Sequence, residues 1–216
     1  MGCSEKLLDL VFPPRCVLCG GVCPGGELCC GRCAREEPPL AQPLRRGDGS
    51  AARPWSVLAC AFAYRGRVRS ALSRFKFKGD MRAGEYLGGA MAKLVTGAFP
   101  PCAFDLVVPV PMPPERQRMR GYNQAEILAR RVAEALGVPV EPAALLRQGA
   151  FAQHQLTAGF RRREAAHSFR PGTVELRGKR ILLVDDIVTT GSTAAVCCRI
   201  LQEMGAAEVA VLAAAG

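Results

Sequence analysis

The sequence predicts an α/β protein: a parallel sheet covered by helices on both faces, preceded by a small cysteine-rich unit. Three observations lead there. Short apolar runs of strand length alternate with segments of helical period. Seven of the 11 cysteines fall between residues 3 and 33. Between these two regions lies a stretch rich in Pro, Gly and Arg.

Residues 1–40 form the cysteine unit, residues 41–54 a linker and residues 55–216 the α/β domain. After the linker, residues 57–64 are apolar and read as a strand that turns at Arg65-Gly66. Next, Phe75 and Phe77 alternate with Lys76 and Lys78, as on a half-buried strand. A helix from Met81 carries Leu87, Met91, Leu94 and Val95 on one face. Residues 105–111 read as a buried strand leading into a loop of prolines and arginines. Asn123 is an N-cap, with Glu126 three residues on in the manner of a capping box. The helix it opens carries Ile127, Leu128, Val132 and Leu136 and ends at Gly137. Residues 181–184 form a second buried strand, residues 192–204 a third helix and residues 207–215 a closing strand.

The composition narrows the class. Hydrophobic residues make up 49% and charged residues 22%, which is globular and not disordered. No apolar run approaches the ~18 residues that span a bilayer, and no signal-peptide pattern is present. Lys6 stands where a myristoylation signal requires Ser or Thr. A cytoplasmic protein with no membrane span is expected. Lys and Arg total 29 against 19 acidic residues, a net charge of +10. Such a surplus suits a polyanionic ligand, although a solvated basic surface produces the same number.

The most informative stretch is residues 181–193. Apolar Ile181, Leu182, Leu183 and Val184 lead to paired carboxylates, Asp185 and Asp186. A loop holding Thr189, Thr190 and Gly191 then opens a helix with Ser192 and Thr193. Ligands bind at the carboxyl ends of strands in open parallel sheets. A helix N-terminus offers free N–H groups and a positive dipole end to a phosphate. The carboxylates would repel that phosphate, so they suit sugar hydroxyls or a metal. These residues resemble the 5-phosphoribosyl-1-pyrophosphate (PRPP) motif of type I phosphoribosyltransferases. The resemblance implies that fold. It implies catalytic Asp185 and Asp186 on the ribose hydroxyls, residues 189–193 on the 5-phosphate, and Mg²⁺ on a departing pyrophosphate.

Pyrophosphate needs further donors, and the loop after residues 108–111 offers Arg116, Arg118, Arg120, Gly121, Tyr122, Asn123 and Gln124. With Pro109-Val110-Pro111 ahead of it, this segment is similar to the ComF family, phosphoribosyltransferase-like proteins named for a competence (DNA-uptake) protein. Pro13-Pro14-Arg15-Cys16 and residues 75–80 agree with the same family. The resemblance implies a pyrophosphate and basic loop drawn from Val110, Pro111, Arg118, Arg120, Gly121 and Asn123. It also implies a closing loop at residues 148–169, where Glu164 replaces the usual Asn. His154 and His167 there are either acid–base groups or incidental.

Cys16-x-x-Cys19 and Cys30-x-x-Cys33 supply four thiolates for tetrahedral Zn²⁺, a structural set. Disulfide and redox roles are the alternatives. Cys23 and Cys29 compete as ligands, but Cys29 cannot keep the two-residue spacing to Cys33. The family resemblance makes this unit a zinc ribbon, with a spacer shorter than the usual ~15–20 residues.

Two functions fit. One is a transferase moving phosphoribose to or from a nitrogenous acceptor. The other is a PRPP or nucleotide sensor of DNA uptake without turnover. Expected partners are PRPP or a nucleotide, single-stranded DNA or the competence machinery, and a second copy of the chain.

Overall fold

The computed structural model describes residues 13–23, 26–40, 44–148 and 168–216. Its frame is a five-stranded sheet. In chain order the strands are β1 (Leu44–Arg46), β2 (Val57–Phe62), β3 (Leu106–Pro109), β6 (Arg180–Ile187) and β7 (Glu208–Ala215). Their spatial order is β1-β2-β7-β6-β3. All neighbours are parallel except β1, which runs antiparallel to β2. A short pair, β4 (Leu145–Arg147) and β5 (Phe169–Pro171), stands apart as an antiparallel ladder.

Among the described residues the α-helices are α1 (Gly31–Glu36), α2 (Gly66–Lys78), α3 (Met81–Ala98), α4 (Pro114–Arg120), α5 (Gln124–Leu136) and α6 (Ser192–Glu203). Strand pleating sends successive side chains to opposite faces, and β6 obeys this from Ile181 to Val184. Leu182 and Val184 enter a core shared with Leu72, Phe75, Leu87, Met91 and Leu128 of α2, α3 and α5. Ile181 and Leu183 enter a second core with Trp55, Leu145, Phe169, Cys197 and Leu201. Both faces of the sheet are therefore covered, as expected, and β6 is buried on each.

Several local expectations change. Residues 75–78 are the last turn of α2 and not a strand: Phe75 is fully buried, while Phe77 points out. Four residues are too few to separate a period of 2 from one of 3.6. The left-handed Gly79 then ends the helix. In the arginine-rich loop, Pro114–Arg120 forms α4, with Pro at its first position and Gly121 at its end. Within the expected linker, β1 supplies an edge strand. Asn123 does cap α5, accepting from Ala125 N at 3.1 Å, but Glu126 pairs with Arg130 instead of closing a capping box.

The cysteine unit is not a separate body. Cys16, Val17, Leu18, Cys23 and Cys33 lie in the same core as Phe62, Leu72 and Phe75. Polar ties reinforce this. Arg74 donates to the Val17 carbonyl, and Arg67 N donates to Glu37 Oε1 at 3.0 Å, satisfying a free donor at the start of α2.

Candidate functional site

The site forms where β6 ends. Because β3 lies parallel beside it, Val184 accepts from Val110 N at 2.8 Å. The turn after β3 thus begins one residue from Asp185. On the other side Asp185 and Ile187 are in register with Ala213 and Ala215 of β7.

Strand geometry separates the two carboxylates that the sequence presents as a pair. Asp185 follows Leu183 towards α6 and β4, while Asp186 follows Val184 towards α2. Asp186 Oδ2 lies 2.9 Å from Lys76 Nζ. Asp185 Oδ1 accepts from Asp186 N at 2.8 Å. Burial, and then the Asp186 charge, push the Asp185 carboxyl up to about 8, against the weaker pull of Lys76 and Arg147.

Arg147 escaped the sequence reading. It ends β4, its guanidinium lies 4.7 Å from the Phe169 ring centroid, and its buried Nε has no partner among the described residues. Burial and then the like charge of Arg116 depress its pKa, and Asp185 opposes them. Arg147 therefore stands within electrostatic reach of both. Lys76 and Arg147, from elements far apart in sequence, reach the two carboxylates, and Arg116 stands beside Arg147. No local pattern announces such a set.

The loop beyond β6 has the form the sequence suggested. Val188 N is anchored on Ala215 O at 2.9 Å. Thr189 and Thr190 are exposed, and Thr190 Oγ1 lies 2.9 Å from Ser192 Oγ. Gly191 adopts φ +75 at the N-cap of α6, and a Cβ there would stand 2.8 Å from the Trp55 ring. Ser192 and Thr193 begin the helix. Ser192 N donates to Thr190 Oγ1 at 3.4 Å, and a helix start with hydroxyls beside it can offer donors to an anion.

The expected pyrophosphate loop divides. Asn123 donates from Nδ2 to Val110 O at 3.1 Å, so it clamps the turn. Pro111 is half-buried behind Val110. Arg120 donates to Gln124 and covers the Phe77 ring at 5.0 Å. Arg118 sits on the exposed face of α4, which Gly121 ends at φ +82. Tyr122 donates to the Phe75 carbonyl and stacks on its ring. His154 and His167 lie outside the described residues, as does most of the expected closing loop. Gln148 and Ser168, which flank it, are bonded N to O at 2.8 Å.

In the N-terminal unit the sulfurs of Cys16, Cys19, Cys30 and Cys33 all lie within 4.8 Å of one another. Cys19 and Cys30 are 3.9 Å apart, close to the ~3.8 Å edge of a tetrahedron with Zn–S bonds of ~2.3 Å. Cys30 N donates to Cys16 Sγ at 3.4 Å. The four residues fit a tetrahedral metal such as zinc. Cys23 is buried in the core, and Cys29 donates to the Cys30 carbonyl.

Comparison with known proteins agrees. Residues 119–216 match the phosphoribosyl transferase domain family. Relatives include the DNA utilization protein YhgH of Escherichia coli (strain K12), 32% identical over 91% of this chain and 81% of that protein. Competence protein F of Haemophilus influenzae is 26% identical over 97% of this chain and 86% of that one. Competence protein ComFC of Bacillus subtilis is 31% identical over 68% and 58%. Among solved structures, the glutamine PRPP amidotransferase from B. subtilis overlaps 61% of this chain and 26% of its own, at 24% identity and a TM-score of 0.42.

Sheet, loop and domain match together define a phosphoribosyltransferase-type protein. With its relatives spanning nearly the whole chain, it belongs to the ComF family.

Proposed function

We propose that this chain binds PRPP and transfers phosphoribose to or from a nitrogenous acceptor. The observation that carries the reading is the junction at the end of β6, where a hydroxyl-rich loop and helix start adjoin two carboxylates flanked by Lys76 and Arg147. A ligand with phosphate at one end, hydroxyls in the middle and pyrophosphate at the other satisfies all three.

In this reading residues 189–193 hold the 5-phosphate through backbone N–H groups and hydroxyls. Asp185 and Asp186 accept from the ribose hydroxyls, approaching the sugar from the two sides of β6. Lys76 and Arg147 face the pyrophosphate, where preorganised cations stabilise charge that grows as the C1–O bond breaks. Asp186 is engaged by Lys76 and Asp185 holds a proton readily, so the pair suits Mg²⁺ brought in on the ligand's own oxygens. That ion would neutralise the leaving group. The four cysteines hold a structural zinc.

Calorimetric titration with PRPP, with and without Mg²⁺, tests this. The wild type binds, and the Asp185→Asn/Asp186→Asn double variant loses at least roughly tenfold in affinity. No binding by the wild type overturns the reading.

A second reading has a specific support: the relatives' names attach them to DNA utilization and competence. In it the chain senses PRPP or a nucleotide and associates with single-stranded DNA through exposed Arg116 and Arg118. PRPP binding without pyrophosphate release across a panel of nitrogenous acceptors favours it, as does salt-sensitive binding of an oligothymidylate.

A further inference from the structure

Between the last turn of α2 and α4 lies a concavity of about 510 Å³, lined by Lys76, Phe77, Arg116, Met119 and Arg120. None of the binding roles above uses its apolar wall. Phe77 is 72% exposed and Met119 89%. Helix geometry explains the direction of Phe77, about 200° around α2 from the buried Phe75. Among the described residues no buried apolar packing accounts for a large aromatic ring there.

The surroundings give it a use. Arg120 covers one face of the Phe77 ring, 5.0 Å from its centroid, and donates to the fully buried Gln124. The rest of the ring stays open beside Met119, whose polarisable sulfur suits contact with aromatic edges. Lys76 joins this concavity to the site, since its Nζ lies 2.9 Å from Asp186. The volume is in the range of small-ligand pockets. Among the described residues every charged side chain lining it is a cation, which disfavours an ammonium or alkylamine occupant.

We propose that this concavity is the acceptor subsite and that it takes a neutral or anionic planar nitrogen heterocycle, a purine- or pyrimidine-like ring stacked on Phe77. The inference rests on the ribose–phosphate reading of Asp186. It adds the acceptor class that the sequence left open.

The test compares adenosine 5′-monophosphate with ribose 5-phosphate by calorimetry, on wild type, Phe77→Ala and Phe77→Trp. The nucleotide binds the wild type more tightly by on the order of tenfold, the scale of stacking on one aromatic ring. Phe77→Ala removes that advantage and leaves ribose 5-phosphate affinity unchanged, while Phe77→Trp keeps it. Equal weakening of both ligands, or no change for the nucleotide, overturns the assignment. So does Phe77-dependent binding of an oligothymidylate alone, which gives the surface to a polynucleotide. If neither small ligand binds the wild type, the ribose–phosphate reading itself fails and this inference with it.

Discussion

At Asp185 the carboxyl is held above the ordinary range by burial first and by Asp186 second. Its unfolded pKa is about 3.9, and in the fold it rises to about 8. Between those values the native state binds more protons than the unfolded state, so native stability falls as pH rises through the interval. Asp185→Asn removes that penalty. Melting temperatures should therefore rise more at pH 8 than at pH 4, by roughly 2–4 °C for each kcal/mol relieved. An equal shift at both pH values would contradict the assignment. Gly191 poses a different constraint, because its left-handed φ and the Trp55 ring both oppose a Cβ. Gly137 shares the left-handed φ but has open space around it. Both alanine variants incur the backbone strain of about 1–2 kcal/mol. Gly191→Ala should melt lower than Gly137→Ala, and it alone should weaken PRPP binding.

Among the elements, α2 shows how a short pattern misleads. Residues 75–78 alternate like a strand, yet Gly79 and the longer periodicity make them the end of a helix. Phe75→Ala should cost about 3–5 kcal/mol in denaturant melts. Phe77→Ala, on the open face, should stay within about 0.5 kcal/mol. The strands β3 and β6 are joined at their start by Asp105, which accepts from Arg180 N at 2.7 Å and Nη2 at 2.9 Å. These bonds hold the Asp105 carboxyl down at about 2. Its stabilising contribution is complete above the unfolded value of about 3.9 and is lost as pH falls through the folded one. Asp105→Asn should lower the melting temperature at pH 6 and converge with the wild type near pH 2. The strand, loop and helix of residues 181–203 were legible because a continuous apolar run, two acids and a hydroxyl loop are all local signals. Arg147 was not. Only the placement of β4 against α6 brings it to Asp185. The edge strand β1 was hidden for another reason: Leu-Arg-Arg has no apolar alternation, and its three residues are all exposed.

For the whole molecule, the shared core ties the cysteine unit to the sheet. The cysteine spacing was readable in sequence, but burial of Cys16 and Cys33 against Phe62 and Leu72 was not. Chelation should therefore lower the melting temperature of a single transition that includes the sheet, instead of adding a separate early one. Elemental analysis should find zinc at one per chain, and Cys30→Ser/Cys33→Ser should reproduce the chelated melt. Two resolved transitions would show that the unit folds by itself.

The strand β7 is the last of those described, yet it lies between β2 and β6. Until residues 208–215 have left the ribosome, β2 and β6 have no partner to join them, and each presents an open edge to other chains. Completion of the sheet thus waits for residues 208–215, through contacts between distant parts of the chain that slow folding. A nascent chain stopped just before Glu208 holds every residue of the Asp185 loop without the strand that positions it.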